Sequence, residues 1–214
     1  MGRAQVAQEV SAVSGLCMLI KKAVYEGAGG YDAGLNVDLY RAIDLCQRIR
    51  RQGKRIIWTP YSTLLYRGSA AERGEEKGGG TQCSEEAEVM YQRWLPELAA
   101  DPSYNRNLSR SRNDMSLESD IIPGWDPEVD TELRVMGFGV GSYGSWQYRV
   151  KQPLDALDRD GLVMRMHAPF CGKQKVRIPS PVEMEMLQPH SLLMHNTLHD
   201  NYIEAVEGYK RVNK

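Results

Sequence analysis

The chain has 214 residues, 42% hydrophobic and 26% charged, which suits one large globular domain or two small ones and excludes global disorder and fibrous or collagen-like repeats. With 27 Lys+Arg against 28 Asp+Glu the net charge is −1, so no bulk field is available to hold nucleic acid or an anionic membrane. The longest apolar stretches, 16–20 and 161–164, fall far short of the ~20 residues that span a bilayer, and no basic-then-apolar leader opens the chain, so neither a transmembrane segment nor an export signal is expected.

In chain order, the run of small and apolar residues over 10–20 predicts a buried strand, too short for a comfortable helix and bounded by charge. Residues 21–27 predict a helical turn or two, stopped by Gly27, Gly29 and Gly30. Over 36–52, Val37, Tyr40, Ile43, Leu45 and Ile49 recur near the helical period, with Arg48, Arg50 and Arg51 in the last turns and Gly53 as the stop. Residues 54–60 predict a short strand entering a proline turn, and 63–66 another extended piece. The stretch 68–82, with Gly78, Gly79 and Gly80, predicts a mobile loop, and 85–98 a helix striped by Ala87, Met90, Tyr91, Trp94 and Leu98. Residues 101–120 have no period and predict an irregular surface segment.

Pro123, Gly124 and Pro127 predict a linker over 121–131. Beyond it come a strand over 133–140, a glycine-rich loop over 141–146, a helix over 147–159, a strand over 162–166, a short helix over 182–187, a strand over 191–194 and a last helix over 201–212. Alternation of β and α at this spacing predicts a parallel, Rossmann-like sheet. The expected fold class is therefore α/β.

Cys17, Cys46, Cys83 and Cys171 are widely spaced with no CxxC, which excludes a zinc ribbon, argues against a disulfide framework and fits a reducing cytoplasm. His190, His195 and His199 bear on metal binding only if His195 and His199 share one helix; a structural or surface role is expected. Met164, Met166, Met184, Met186 and Met194 are expected to fill core. The basic run Arg48, Arg50, Arg51, Lys54 and Arg55 is expected to be a solvated helix end that complements its dipole.

The order of the small-residue stretch Ser14 to Ile20, the turn Gly29-Gly30-Tyr31-Asp32, the helix bearing Asp44-Leu45-Cys46-Gln47-Arg48, and Gly53 to Pro60 resembles the carboxyl half of family-2 glycosyltransferases. These are GT-A nucleotide-sugar enzymes of bacterial surface polysaccharide synthesis. Asp101-Pro102-Ser103-Tyr104-Asn105-Arg106-Asn107-Leu108 is similar to a tail found in one polysaccharide branch. The resemblance implies a carboxylate base that takes the acceptor hydroxyl's proton while the sugar leaves its nucleotide diphosphate. Aligned on Asp44, the family's acidic pair falls on Arg41 and Ala42. Asp44 lies two residues further on, about 200° around a helix, and Asp38 one turn before. Asp44 and Asp38 are thus the candidate catalytic residues, with the alternative that both simply favour the helix start and pair with Arg48 and Arg41. Gly30 and Asp32 of the turn are candidate acceptor- or phosphate-binding residues. Tyr66 stands where the family tends to place a metal-coordinating His, so no metal ligand is assigned. A divalent metal is expected only with the amino-terminal half that the resemblance leaves outside this sequence.

In the second unit Gly139-Val140-Gly141-Ser142-Tyr143-Gly144 follows a strand and precedes a helix, as a dinucleotide fingerprint does. The next strand ends Arg165-Met166-His167 without the carboxylate that would bind ribose, so NAD is not expected. The whole segment, through Tyr148-Arg149 to Gly161, resembles the amino-terminal start of a GT-B glycosyltransferase. That resemblance implies acceptor- or phosphate-binding roles for Gly141, Gly144, Tyr148 and Arg149. The expected organisation is a GT-A-like unit at 1–120, a linker at 121–131 and a Rossmann-like unit at 132–214. By resemblance the chain is a fragment or degenerate relative of a nucleotide-sugar-dependent glycosyltransferase, with nucleotide sugar and glycan acceptor as partners. The alternative is a non-catalytic binding or assembly module on the same half-folds.

Overall fold

The computed structural model describes residues 5–65, 67, 81–110, 112, 114–121, 124–130, 132–139, 144–167, 177–195 and 200–212. They fall into two compact units, one formed by residues up to 97 together with 101–105 and the other by 98–100 together with 106 onward.

In the first unit, β1 (Gln8–Val10) pairs antiparallel with β2 (Ile56–Trp58), in the register Gln8 to Trp58 and Val10 to Ile56. Between them lie a 3₁₀ turn (Gly15–Cys17), α1 (Lys22–Gly27) and α2 (Asp38–Arg51), and α3 (Thr81–Ala99) follows. The strand expected over 10–20 is a correction: only Val10 belongs to a strand, and Leu16 and Leu19 are exposed. The reason is local. The Ser14 hydroxyl accepts from the Leu16 backbone N–H at 3.3 Å and opens a turn, offering the backbone an alternative to a ladder. No strand forms over 63–65, while Tyr66 and residues 68–80 lie outside the described residues. Helix α1 ends as expected, with Gly29 and Gly30 at φ +80° and +66°.

Helix α2 buries Ala42, Leu45, Cys46 and Ile49, and Leu45 and Ile49 pack with Ala28, Met18, Ile20 and Val24. Its N-cap residue, Val37, has no capping side chain. The carboxylate of Glu86, from α3, does that work from a distance, accepting from the backbone N–H of Asn36 at 3.0 Å and of Val37 at 3.0 Å.

The second unit is a three-stranded parallel sheet flanked by helices, consistent with a Rossmann-like unit. Its central strand, β3 (Arg134–Gly139), lies between β4 (Met164–His167) and β5 (Ser191–His195). All six β3 residues are buried, because both faces are covered. On one face Val135 packs with Trp146, Val150 and Leu154, from a π-helical turn (Gln147–Lys151) that runs into α4 (Gln152–Arg159). On the other, Met136, Phe138 and Met166 pack with Met184 and Leu187 of α5 (Pro181–Leu187) and Tyr202 and Tyr209 of α6 (Asp200–Val212). Of the methionines expected to fill core, Met166 and Met184 do so and Met164 and Met194 flank it, while Met186 is half-buried.

The expected linker at 121–131 is a second correction. Ile121 and Trp125 are buried in the core of the second unit, and Trp125 Nε1 donates to the Leu187 carbonyl at 2.5 Å. Upstream, the Glu118 carboxylate accepts from Ser109 Oγ at 3.0 Å and from the Asp120 N–H at 2.8 Å, and Arg177 bridges Glu118 and Glu183 at 3.5 and 2.5 Å. Proline and glycine mark turns here, while the two large apolar residues between them decide the burial.

Candidate functional site

In the first unit the glycine turn and two helices converge on one buried carboxylate. Asp44 is only 1% exposed at its side chain. Arg48 donates to its Oδ2 from Nε at 2.8 Å and stands within 2.7 Å through Nη2, while Trp94 Nε1 donates to Oδ1 at 2.9 Å. Arg93 approaches Oδ1 at 3.4 Å. The same Arg48 holds the turn, donating to the Ala28 carbonyl and, from Nη2 at 2.7 Å, to the Gly30 carbonyl. Arg93 carries the network on to Asp32 at 2.5 Å, and Asp32 in turn accepts from the Gly34 N–H at 2.7 Å. The Arg93 hydrogen bond, helped by that backbone N–H, holds the Asp32 carboxyl below its usual range.

Three of the predicted residues, Gly30, Asp32 and Asp44, are therefore brought together, but as a closed network of charge-assisted bonds. Asp38 stands apart, 95% exposed at its side chain and 3.6 Å from Arg41. Ala42 is fully buried, its Cβ 3.6 Å from where a side chain on Gly15 would begin, a place the Tyr31 hydroxyl approaches to 3.2 Å. Arg93 is the member that sequence reasoning missed; a lone arginine beside Trp94 on a helix bears no motif. The basic run is not simply solvated: besides Arg48, Arg51 lies over the Trp94 ring at 4.2 Å and pairs with Glu97.

In the second unit the described predicted residues, Gly144, Tyr148 and Arg149, lie at and just inside the start of the helical segment that follows β3. Gly144 has φ +54°, and its carbonyl accepts from the Tyr148 N–H at 3.2 Å, leading into the π-helical turn. Tyr148 is 71% exposed, and Arg149 is exposed beside it. Gly141 lies outside the described residues. Two histidines end the strands beside β3: His167 pairs in register with Gly137, and His195 with Gly139. His167 Nε2 lies 3.2 Å from Asp155 Oδ1, with Lys151 and Arg165 each 2.6 Å from the same carboxylate. Burial pushes the His167 imidazole below its usual pKa, against the pull of Asp155. Asp155 is itself held low despite partial burial, because Lys151 and His167 bond to it.

His195 ends a strand and His199 lies outside the described residues, while His190 Nδ1 accepts from the Arg134 N–H at 3.0 Å. Among the described residues no three His, Cys, Asp or Glu side chains are grouped as a metal site, and no helix is long and apolar enough to cross a membrane.

No family model matches this sequence, and no solved structure does. The chain is 35% identical over 125 residues to the uncharacterized protein y4gI of Sinorhizobium fredii strain NGR234, and 27% identical over 127 residues to the O-antigen biosynthesis protein RfbC of Myxococcus xanthus. Those alignments take in 58% and 59% of this chain but only 13% and 9% of the two relatives, which are far longer proteins. The chain is thus similar to a small part of an O-antigen biosynthesis protein.

Proposed function

We propose that the chain is a degenerate relative of the nucleotide-sugar-dependent glycosyltransferases of bacterial surface polysaccharide synthesis, able to bind sugar or phosphate ligands without turning them over. The partial similarity to an O-antigen biosynthesis protein supports the polysaccharide theme. The observation that carries the loss of turnover is the state of the three positions where a base could stand. Ala42 has no proton acceptor, Asp44 is buried with both oxygens occupied, and Asp38 is solvated on the helix start. An inverting transfer needs a carboxylate within hydrogen-bond reach of the acceptor hydroxyl, and a buried, saturated carboxylate offers no lone pair to it. Binding energy without that base lowers no barrier.

On this reading Gly144, Tyr148 and Arg149 form the retained binding surface. Tyr148 offers an exposed ring for a sugar face, and Arg149 a fork of donors for phosphate. Gly30 and Asp32 support the first unit's turn through Arg48 and Arg93. The closed Asp44 network also favours the second reading, a non-catalytic binding or assembly module built on glycosyltransferase half-folds. The test is release of nucleoside diphosphate from UDP-, GDP- and dTDP-sugars, with and without divalent metal, alongside binding of the same compounds. Binding without release is expected. Release that disappears in Asp38→Asn overturns the degenerate reading, and absence of both binding and release favours the assembly module.

A further inference from the structure

We propose that Arg93 is an ionic clasp on residues 31–34: bonded outward to Asp32 it holds that segment down, and turned inward to Asp44 it releases it. The inference goes beyond the binding function proposed above, in which Arg93 is a fixed support.

Residues 31–34 form a strap between two anchors. Gly30 before it and Leu35 after it are buried, while Tyr31, Ala33 and Gly34 are exposed and Asp32 is half-buried. None of the four belongs to the apolar cluster that Ala28, Leu45 and Ile49 build, so polar contacts hold the strap. Asp32 makes two of them. Its Oδ1 closes the strap on itself, accepting from the Gly34 N–H at 2.7 Å, and its Oδ2 ties the strap to α3 through Arg93 at 2.5 Å. At the other end the Tyr31 N–H donates to Tyr25 Oη at 3.2 Å. The hinge is fixed independently, since Gly29 and Gly30 take positive φ and Arg48 Nη2 donates to the Gly30 carbonyl at 2.7 Å. Loss of the Asp32 tie therefore frees the strap and leaves the glycine turn in place.

Arg93 serves both carboxylates with one nitrogen: Nη1 stands 2.5 Å from Asp32 Oδ2 and 3.4 Å from Asp44 Oδ1. The inward contact is longer than an ordinary N–H···O bond, so the guanidinium gains a shorter one by turning in. What else each carboxylate holds explains the outward resting position. Asp44 already has Arg48 on Oδ2 and Trp94 Nε1 on Oδ1, whereas among the described residues Arg93 is the one cation bonded to Asp32. Salt tips this balance. The outward pair is open to water, with side chains 42% and 28% exposed, and exposed ion pairs are weak and readily screened. Asp44 is 1% exposed, so its attraction for Arg93 is screened far less. Rising ionic strength thus moves Arg93 inward and unfastens the strap, leaving Asp32 Oδ2 open to a donor from solvent or a ligand.

The experiment follows amide hydrogen exchange and the arginine side-chain ¹⁵N spectrum of the full chain from about 0.01 M to about 1 M NaCl, over which the screening length falls from about 30 to about 3 Å. Exchange at Tyr31 and Gly34 is expected to accelerate about two- to fivefold, the change that losing an exposed ion pair produces, while residues 42–49 of α2 keep their rates. The Arg93 guanidinium protons are expected to exchange more slowly as they turn toward the buried carboxylate. In Arg93→Gln, exchange at 31 and 34 is expected to be fast at every salt concentration. Unchanged exchange at these two residues of the unaltered chain, or an acceleration shared by α2, overturns the clasp. Faster exchange of the Arg93 guanidinium protons in salt overturns the inward position. The salt series is read on the unaltered chain with no ligand added, so neither a variant that fails to fold nor a failure of the proposed binding function decides the outcome.

Discussion

The indole of Trp146 packs directly against Gly139. A Cβ at position 139 would stand 2.7 Å from Trp146 Cδ2 and nearer still to Cε3 and Cζ3, and the indole itself is only 2% exposed. The glycine is there so that the largest side chain of that face can close over the end of the central strand, whatever else the glycine loop does. Gly139→Ala is expected to destabilise the second unit by about 1–3 kcal/mol, the range for overpacking a filled core. Urea unfolding followed by tryptophan fluorescence measures it, and a midpoint equal to that of the unaltered chain would show that Trp146 moves aside freely.

Asp44 and Asp38 are expected to behave oppositely. Asp44→Asn leaves the Arg48 and Arg93 guanidiniums facing a neutral group in a buried place, and the loss of charge-assisted bonds is expected to cost about 2–3 kcal/mol. Asp38→Asn exchanges a solvated carboxylate for a solvated amide and is expected to leave the unfolding midpoint in place. Equal midpoints for the two variants would contradict the network described for Asp44.

Glu86 caps α2 from another helix, so its removal is expected to act on a helix to which it does not belong. Glu86→Gln keeps an acceptor, while Glu86→Ala leaves the Asn36 and Val37 N–H groups without theirs; a cost of about 1–2 kcal/mol is expected for the alanine and less for the glutamine. Amide hydrogen exchange of residues 36–41 measures it. Faster exchange confined to α3 would place the effect of Glu86 elsewhere.

The second unit is expected to weaken in mild acid. Because burial holds the folded-state pKa of His167 below its ordinary value near 6.5, the unfolded chain takes up the proton first. This contribution is complete above about pH 6.5 and is lost as pH falls from there through the folded value. Asp155, also held low when folded, adds a separate loss below about pH 4, as its carboxylate is protonated. His167→Phe is expected to flatten the dependence near pH 6 and leave the lower limb. An unchanged slope near pH 6 in that variant would assign the effect to another group.

The sequence by itself determined the α/β class, the boundaries of α2, α5 and β5 to within two residues, and the glycine stops, because helical period, capping residues and positive φ are local properties. Through a family resemblance it also named Asp44 and Asp38 as candidate catalytic residues and Gly30 and Asp32 as candidate binding residues. Tertiary structure alone decided what those residues do. Whether Asp44 is an open base or a saturated anchor depends on Arg93 and Trp94, which lie 49 and 50 residues away; Arg93 carries no motif, and the period that puts Trp94 on an apolar stripe does not name its partner. The same holds for the segment at 121–131, where proline and glycine composition points to a linker while two side chains, Ile121 and Trp125, find a core. Burial of apolar surface is a property of the whole unit, and it overrides local composition wherever large apolar side chains can reach that core.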